Sequence, residues 1–224
     1  MPLRSTREIF ARVFTQRCFW LFAALLMLVT IVPLLPHTTG ARIFANAVNL
    51  LILLAAIAAV GRSTASFAIG VLLAVPTIVL QLLGITWFDP HYLALSWMFG
   101  GAFYFATIVF LLAYVFSREA MTADKLYGAA AAYLMLGVLW AYLYAITQHF
   151  FPGSFAEGGN VASQVPLVDL LYFSFMTLTT TGFGDLSPVH RLARTLATLE
   201  TVLGTLFVAI LIARLAGVYP PERK

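Results

Sequence analysis

Leu167-Val168-Asp169-Leu170-Leu171-Tyr172-Phe173-Ser174-Phe175-Met176-Thr177-Leu178-Thr179, running on into Thr180-Thr181-Gly182-Phe183-Gly184-Asp185-Leu186-Ser187-Pro188, is the stretch on which the fold turns. Its first part is a 13-residue apolar run. A bilayer crossing takes about 20 residues, so this run is too short to span and reads as a re-entrant half-helix. Asp169 sits near its start, where a carboxylate meets free N–H groups and the positive end of the helix dipole. The second part cannot continue that helix, because Gly182 and Gly184, at alternate positions, permit backbone angles that other residues avoid. Non-helical backbone at membrane depth is tolerated only when it is buried in protein or lines a watery path.

The rest of the chain supplies the membrane context. Of its 224 residues 62% are apolar and 10% charged, and the mean hydropathy is +0.94. A soluble domain is about half apolar and roughly a quarter charged, so a soluble enzyme and a disordered regulator are both excluded. The single cysteine, Cys18, excludes an internal disulfide framework and a multi-cysteine metal site. Apolar runs predict spans at 18–36, 43–60, 65–88 (with Pro76 as a kink), 92–116, 126–150 and 195–218. Residues 151–166, with their Gly, Ser and Pro, read as an outer loop.

With the N-terminus placed in the cytoplasm, only Arg42, Arg191 and Arg194 of the 13 Lys and Arg residues fall outside. That is a positive-inside bias, with Trp20 as the inner aromatic anchor and Trp87 and Tyr92 as outer ones. The net charge of +4 and pI near 9.4 therefore report orientation rather than nucleic-acid binding, since the basic residues form no continuous patch. A cleaved signal peptide is disfavoured, because the first apolar run outlasts an h-region of about 7–15 residues and no small-x-small site follows. Ile9, Phe10, Val13 and Phe14 fit the apolar face of a short interfacial helix, and a frayed basic tail fits them equally.

The alternating glycines let the carbonyls of Thr180, Thr181, Gly182 and Phe183 point toward one axis. Copies around that axis would stack oxygen cages that replace the hydration shell of a monovalent cation, with the Thr180 hydroxyl completing the innermost cage. The run Tyr172 to Pro188 resembles the pore helix, selectivity filter and outer turn of potassium channels, and the resemblance extends over 167–218, about a quarter of the chain. It implies an all-α membrane protein of six transmembrane helices, with a re-entrant pore helix and filter loop between helices five and six, assembled as a homotetramer. It implies K+ coordination by Thr180, Thr181, Gly182, Phe183 and Gly184, and support of the filter by Tyr172, Phe173 and Asp185, including a Tyr172–Asp185 hydrogen bond. Two positions depart from the commonest pattern: Thr181 stands where valine is usual and Phe183 where tyrosine is usual. Neither change removes a carbonyl, but the lost phenol weakens the cuff behind the filter. Met176 stands where some members carry a glutamate, so an acid–acid contact there is not expected.

In the sixth span Gly204 matches the family's inner-helix glycine, and it reads equally as a hinge or as a site of close packing. Thr201, Thr205, Val208 and Ile212 recur at helical spacing and are expected to line a cavity, with a packing stripe as the alternative. Glu200 is the acidic residue well inside this span, and intramembrane carboxylates face a bundle interior or water. A hydrogen bond to the pore helix is the favoured reading for it, ahead of filter gating or proton sensing.

The fourth span carries no Lys or Arg, so gating by an arginine-bearing fourth helix is not expected. The organisation predicted is a basic segment 1–17, a four-helix domain 18–116, a linker 117–125, a pore domain 126–218 and a tail 219–224. That tail leaves no room for a fused ligand domain, so gating is expected from the filter, lipids, membrane tension, pH or a separate subunit. His37, His91, His149 and His190 fall near span ends and form no metalloprotease or nucleophile motif, which argues against an intramembrane enzyme. A transporter would show paired interrupted helices, and only one re-entrant segment is present. The function expected is passive K+ conduction with no organic cofactor, the partners being membrane lipids and three further copies of the chain, in a bacterial inner membrane with both termini inside. A non-selective cation channel and an occluded, non-conducting pore are the alternatives.

Overall fold

The computed structural model describes residues 16–35, 39–61, 63–87, 89–117 and 122–218. Arg4, Arg7, Arg12, Arg62, Arg118, Arg223 and Lys224, the apolar set Ile9, Phe10, Val13 and Phe14, His37, and the side chain of Arg42 lie outside them. The chain is mostly helical: α1 Arg17–Ile31, ending in a 3-10 turn Val32–Leu34, then α2 Thr39–Val60, α3 Thr64–Trp87, α4 Pro90–Val115, α5 Ala123–Phe150, α6 Leu167–Leu178 and α7 Arg191–Val218. All but α6 are long and apolar enough to cross a membrane, making six among the described residues. Three short strands complete the chain: β1 Phe155–Glu157, β2 Asn160–Ala162 and β3 Leu186–Pro188.

The helix boundaries follow local chemistry. Ser63 and Ser66 cap α3 reciprocally, the Ser66 N–H donating to Ser63 Oγ at 3.1 Å and the Ser63 N–H to Ser66 Oγ at 3.4 Å. Asp89 caps α4 by accepting the His91 N–H at 2.8 Å, with Pro90 at the first helical position, where its missing N–H costs nothing. Thr122 caps α5 through the Lys125 N–H at 3.3 Å. Helix α3 is continuous across Pro76.

Two compact units emerge, residues 1–72 with 106–134, and residues 73–105 with 135–224. In the first, α1 packs along α2 and buries Cys18, Leu21, Ala24 and Leu25. The Cys18 N–H donates to Asp124 Oδ1 at 3.0 Å, and the Tyr114 hydroxyl donates to Asp124 Oδ2 at 2.9 Å. Lys125, 1% exposed, donates to Ser117 Oγ at 2.8 Å and lies over the Tyr114 ring. These bonds tie the start of α1 to the start of α5, because buried charge is tolerated only with partners.

In the second unit α6 packs against α7, and the three strands form one antiparallel sheet in the order β2-β1-β3. The segment 151–166, expected as plain loop, is thus partly a hairpin, turned at Gly158 and Gly159 with φ of 55° and 85°, a conformation that favours glycine. β1 also pairs with β3, Phe155 opposite Pro188 and Glu157 opposite Leu186. The core around these elements is aromatic: the rings of Tyr144, Phe155 and Phe173 meet pairwise edge to face, with centroids 5.1–5.6 Å apart.

Candidate functional site

Helix α6 is held closely by its two neighbours, and two glycines permit the approach. A Cβ on Gly137 of α5 would lie 2.6 Å from the Phe175 ring. A Cβ on Gly204 of α7 would lie 2.5 Å from the Leu178 carbonyl oxygen and 2.8 Å from its side chain. Close packing therefore requires glycine at 204 whatever that helix does when it moves.

Between these contacts sits a buried polar group. Glu200 is fully buried; its Oε1 accepts from Ser174 Oγ of α6 at 2.5 Å, and its Oε2 accepts from the Tyr144 hydroxyl of α5. Ser174 Oγ also lies 2.8 Å from the Gly137 carbonyl oxygen. One carboxylate thus joins α5, α6 and α7, with both oxygens satisfied, as burial in an apolar surround requires. Nearby, the Gln148 side-chain amide pairs both ways with the backbone of Val165, at 2.7 and 3.0 Å, and fixes the chain leading into α6.

The strand leaving α6 has an unusual backbone. Thr180, Gly182 and Gly184 have φ of 60°, 56° and 78°, while no other residue from 179 to 185 has a positive φ. The Thr180 N–H donates to the Thr177 carbonyl at 3.0 Å, and those of Thr181 and Gly182 both donate to the Met176 carbonyl, at 2.9 and 3.1 Å. In a planar trans peptide the N–H of one residue opposes the C=O of the residue before it. The carbonyls of Thr179, Thr180 and Thr181 therefore point away from α6. Among the described residues no backbone N–H donates to the carbonyls of Thr180 through Gly184. The result is an edge of free peptide oxygens, and alternation in the sign of φ is the local device that produces it.

Both ends of this strand are anchored. The Thr179 hydroxyl donates to the Phe175 carbonyl at 2.7 Å and lies 2.9 Å from the Thr181 hydroxyl, so the threonine at 181 has a bond that a valine could not make. At the other end the Gly158 N–H donates to the Asp185 carbonyl at 3.0 Å, and the Val189 N–H to the Ser154 carbonyl at 2.8 Å. Tyr172 and Asp185 line one cavity of about 200 Å³ together with Met176, Thr177 and Phe183. Phe173 lies in the aromatic core instead, against Tyr144 and Phe155. On α7, Thr201 is half-buried and Thr205, Val208 and Ile212 are exposed, and Phe183 on the strand is 70% exposed.

Tyr144, Ser174, Gly137 and the β1–β2 hairpin are absent from the sequence reading. Two of them carry a signal: Ser174 interrupts an apolar run, and Gly158-Gly159 between two short alternating segments marks a hairpin. Tyr144 carries none, since its partner lies 56 residues away.

Residues 129–219 match the family described as ion channel. The chain is also 35% identical over 71 residues to an inward rectifier potassium channel, Kirbac3.1 of Paramagnetospirillum magnetotacticum. That match covers 30% of this chain and 24% of the relative, so the chain spans about a quarter of the length of the relative it matches. No solved structure gives a significant match. Helices α5 to α7 and the strand between them thus lie in a region similar to ion channels, within a membrane protein that over part of its length is similar to a potassium channel.

Proposed function

We propose that this chain is one subunit of a homotetrameric, potassium-selective channel that conducts K+ passively through the strand Thr180–Gly184. The observation that carries this reading is the edge of unpaired carbonyls: three successive N–H groups turn back to α6, and among the described residues no backbone donor meets the oxygens on the other side. At membrane depth such an edge is costly unless water or an ion meets it. Four copies around an axis would supply the ladder of oxygen cages that replaces a cation's hydration shell. The match of 129–219 to ion channels and the partial likeness to a potassium channel support the same reading.

On this reading α6 is the pore helix, Thr180, Thr181, Gly182, Phe183 and Gly184 coordinate K+, and the hairpin with Tyr172 and Asp185 holds the outer end of the filter. Thr201, Thr205, Val208 and Ile212 line the cavity below, and Glu200 holds the inner helix to the pore helix. Both termini face the cytoplasm of a bacterial cell, and α4, lacking basic residues, does not sense voltage. Potassium uptake into proteoliposomes, compared with sodium at equal concentration, tests the whole. Uptake of K+ well above that of Na+ is expected; equal uptake of both ions overturns the selectivity, and no uptake of either overturns the channel.

A further inference from the structure

His91, in the first turn of α4, and His149, in the last turn of α5, face each other with ring centroids 5.5 Å apart and planes at 86°. Neither residue takes part in the conduction proposed above. We propose that these two imidazoles form a binding site for a divalent late first-row metal ion, with Zn2+ as its probe, that staples α4 to α5 at their adjoining ends. The separation is the first argument. A tetrahedral zinc with Zn–N of about 2.0–2.1 Å stands roughly 3.2 Å from each ring centre and holds two ring centres about 5 Å apart. The observed spacing needs only rotation of the rings about their own side-chain bonds, with no movement of either helix.

Availability is the second argument. Among the described residues no hydrogen bond occupies a ring nitrogen of either histidine, so ligation displaces no protein partner. His91 is exposed and His149 half-buried, so an ion reaches them from solvent. The electrostatics also favour a cation. His149 lies at the C-terminal, negative end of the α5 dipole, and the Asp89 carboxylate, capping α4 through the His91 N–H at 2.8 Å, stands beside the other ligand. The Phe150 ring, 5.3 Å from His149, backs the site on one side. No group of three or more His, Cys, Asp or Glu side chains converges among the described residues, so water completes the coordination and the ion exchanges. Such a site suits a modulator that binds and leaves rather than a resident structural metal.

The test is Zn2+ titration of the purified, detergent-solubilised protein, read by calorimetry and by thermal stability. Zn2+ is expected to bind and to raise the unfolding temperature, because a ligand that binds only the folded form stabilises it. His91→Ala and His149→Ala, at surface-accessible positions, are each expected to weaken binding by at least about tenfold and to abolish the thermal shift. His190→Ala, which removes a histidine stacked on Phe151, is expected to change neither. Zn2+ affinity that survives in the His91→Ala and His149→Ala proteins overturns the site, as does its loss in only one of the two. Since neither readout needs ion flux, failure here leaves the conduction reading standing, and failure of conduction leaves this site standing.

Discussion

Helices α5 and α7 have the same length, 28 residues each, and both are apolar enough to cross a membrane. Yet 61% of the 18-residue apolar window of α5 is buried by its own chain, against 11% for that of α7. Among its described side chains α7 buries a single stripe, Ala193, Glu200 and Gly204, which includes the residues that grip α6. Apolar exposure alone demands no partner in lipid, because lipid tails are as apolar as leucine. The informative exposure is polar: the Thr205 hydroxyl is met by the Thr201 carbonyl 2.9 Å away on its own helix, whereas the carbonyl edge of the adjoining strand is unmet and has no place against hydrocarbon. One helix is covered by its own chain, and the other leaves most of its length uncovered beside a strand of free peptide oxygens.

The largest effect expected from breaking that contrast comes at Gly204. Gly204→Val drives side-chain carbon into the backbone oxygen of Leu178, which cannot move aside as a flexible side chain would. The cost should lie at or above the upper end of roughly 1–3 kcal/mol for overpacking. Folded protein on size-exclusion chromatography and K+ uptake should both be lost. Thr205→Trp separates the two kinds of surface on α7. It should abolish uptake while moving stability by less than about 0.5 kcal/mol, because it touches no packed group of its own chain. A Thr205→Trp protein that conducts normally would show that this face does not line the path.

A third change weakens the grip rather than the path. Glu200→Leu leaves the Tyr144 hydroxyl buried without its acceptor, while Ser174 keeps the Gly137 carbonyl, at about 1–3 kcal/mol by chemical or thermal unfolding. Glu200→Gln keeps the shape and an acceptor oxygen and should recover most of that loss. If Glu200→Gln leaves both uptake and its pH profile unchanged, the carboxylate is a structural tie with no sensing role. The smallest effect belongs to Thr181→Val, which removes one hydroxyl contact behind the strand and retains every carbonyl. It should cost about 0.5–1.5 kcal/mol of local stability and leave the K+ to Na+ uptake ratio unchanged.

The short apolar run, the glycine alternation after it and the long spans were legible because each is a local, periodic property. A half-helix is recognised by its length against the bilayer, and an unwound strand by residues that permit positive φ. The expected start of the final span, residue 195, fell short of the observed Arg191, since the apolar pattern does not register a polar first turn. The hairpin within 151–166 has one local signal, Gly158-Gly159, in a stretch whose composition reads as loop. Its strands are only three residues each, below the length at which alternation is informative, and the pairing of β1 with β3 joins segments about thirty residues apart. Met176, judged only by the charge it lacks, proved to supply the carbonyl that gathers two N–H groups of the strand.

By itself the amino-acid sequence determined that this chain belongs in a membrane, that one apolar helix is too short to cross it, and that the backbone after it turns alternately left and right. Those are consequences of transfer free energy and of local sterics, which act residue by residue. Only the tertiary structure decided where the buried Glu200 carboxylate finds its partners, which glycine serves packing, and what holds the far end of the strand from α6. Tyr144, Ser174 and Glu200 lie on three different helices and the hairpin reaches back to Asp185, so each of these contacts exists only once the chain has brought distant segments within hydrogen-bond range.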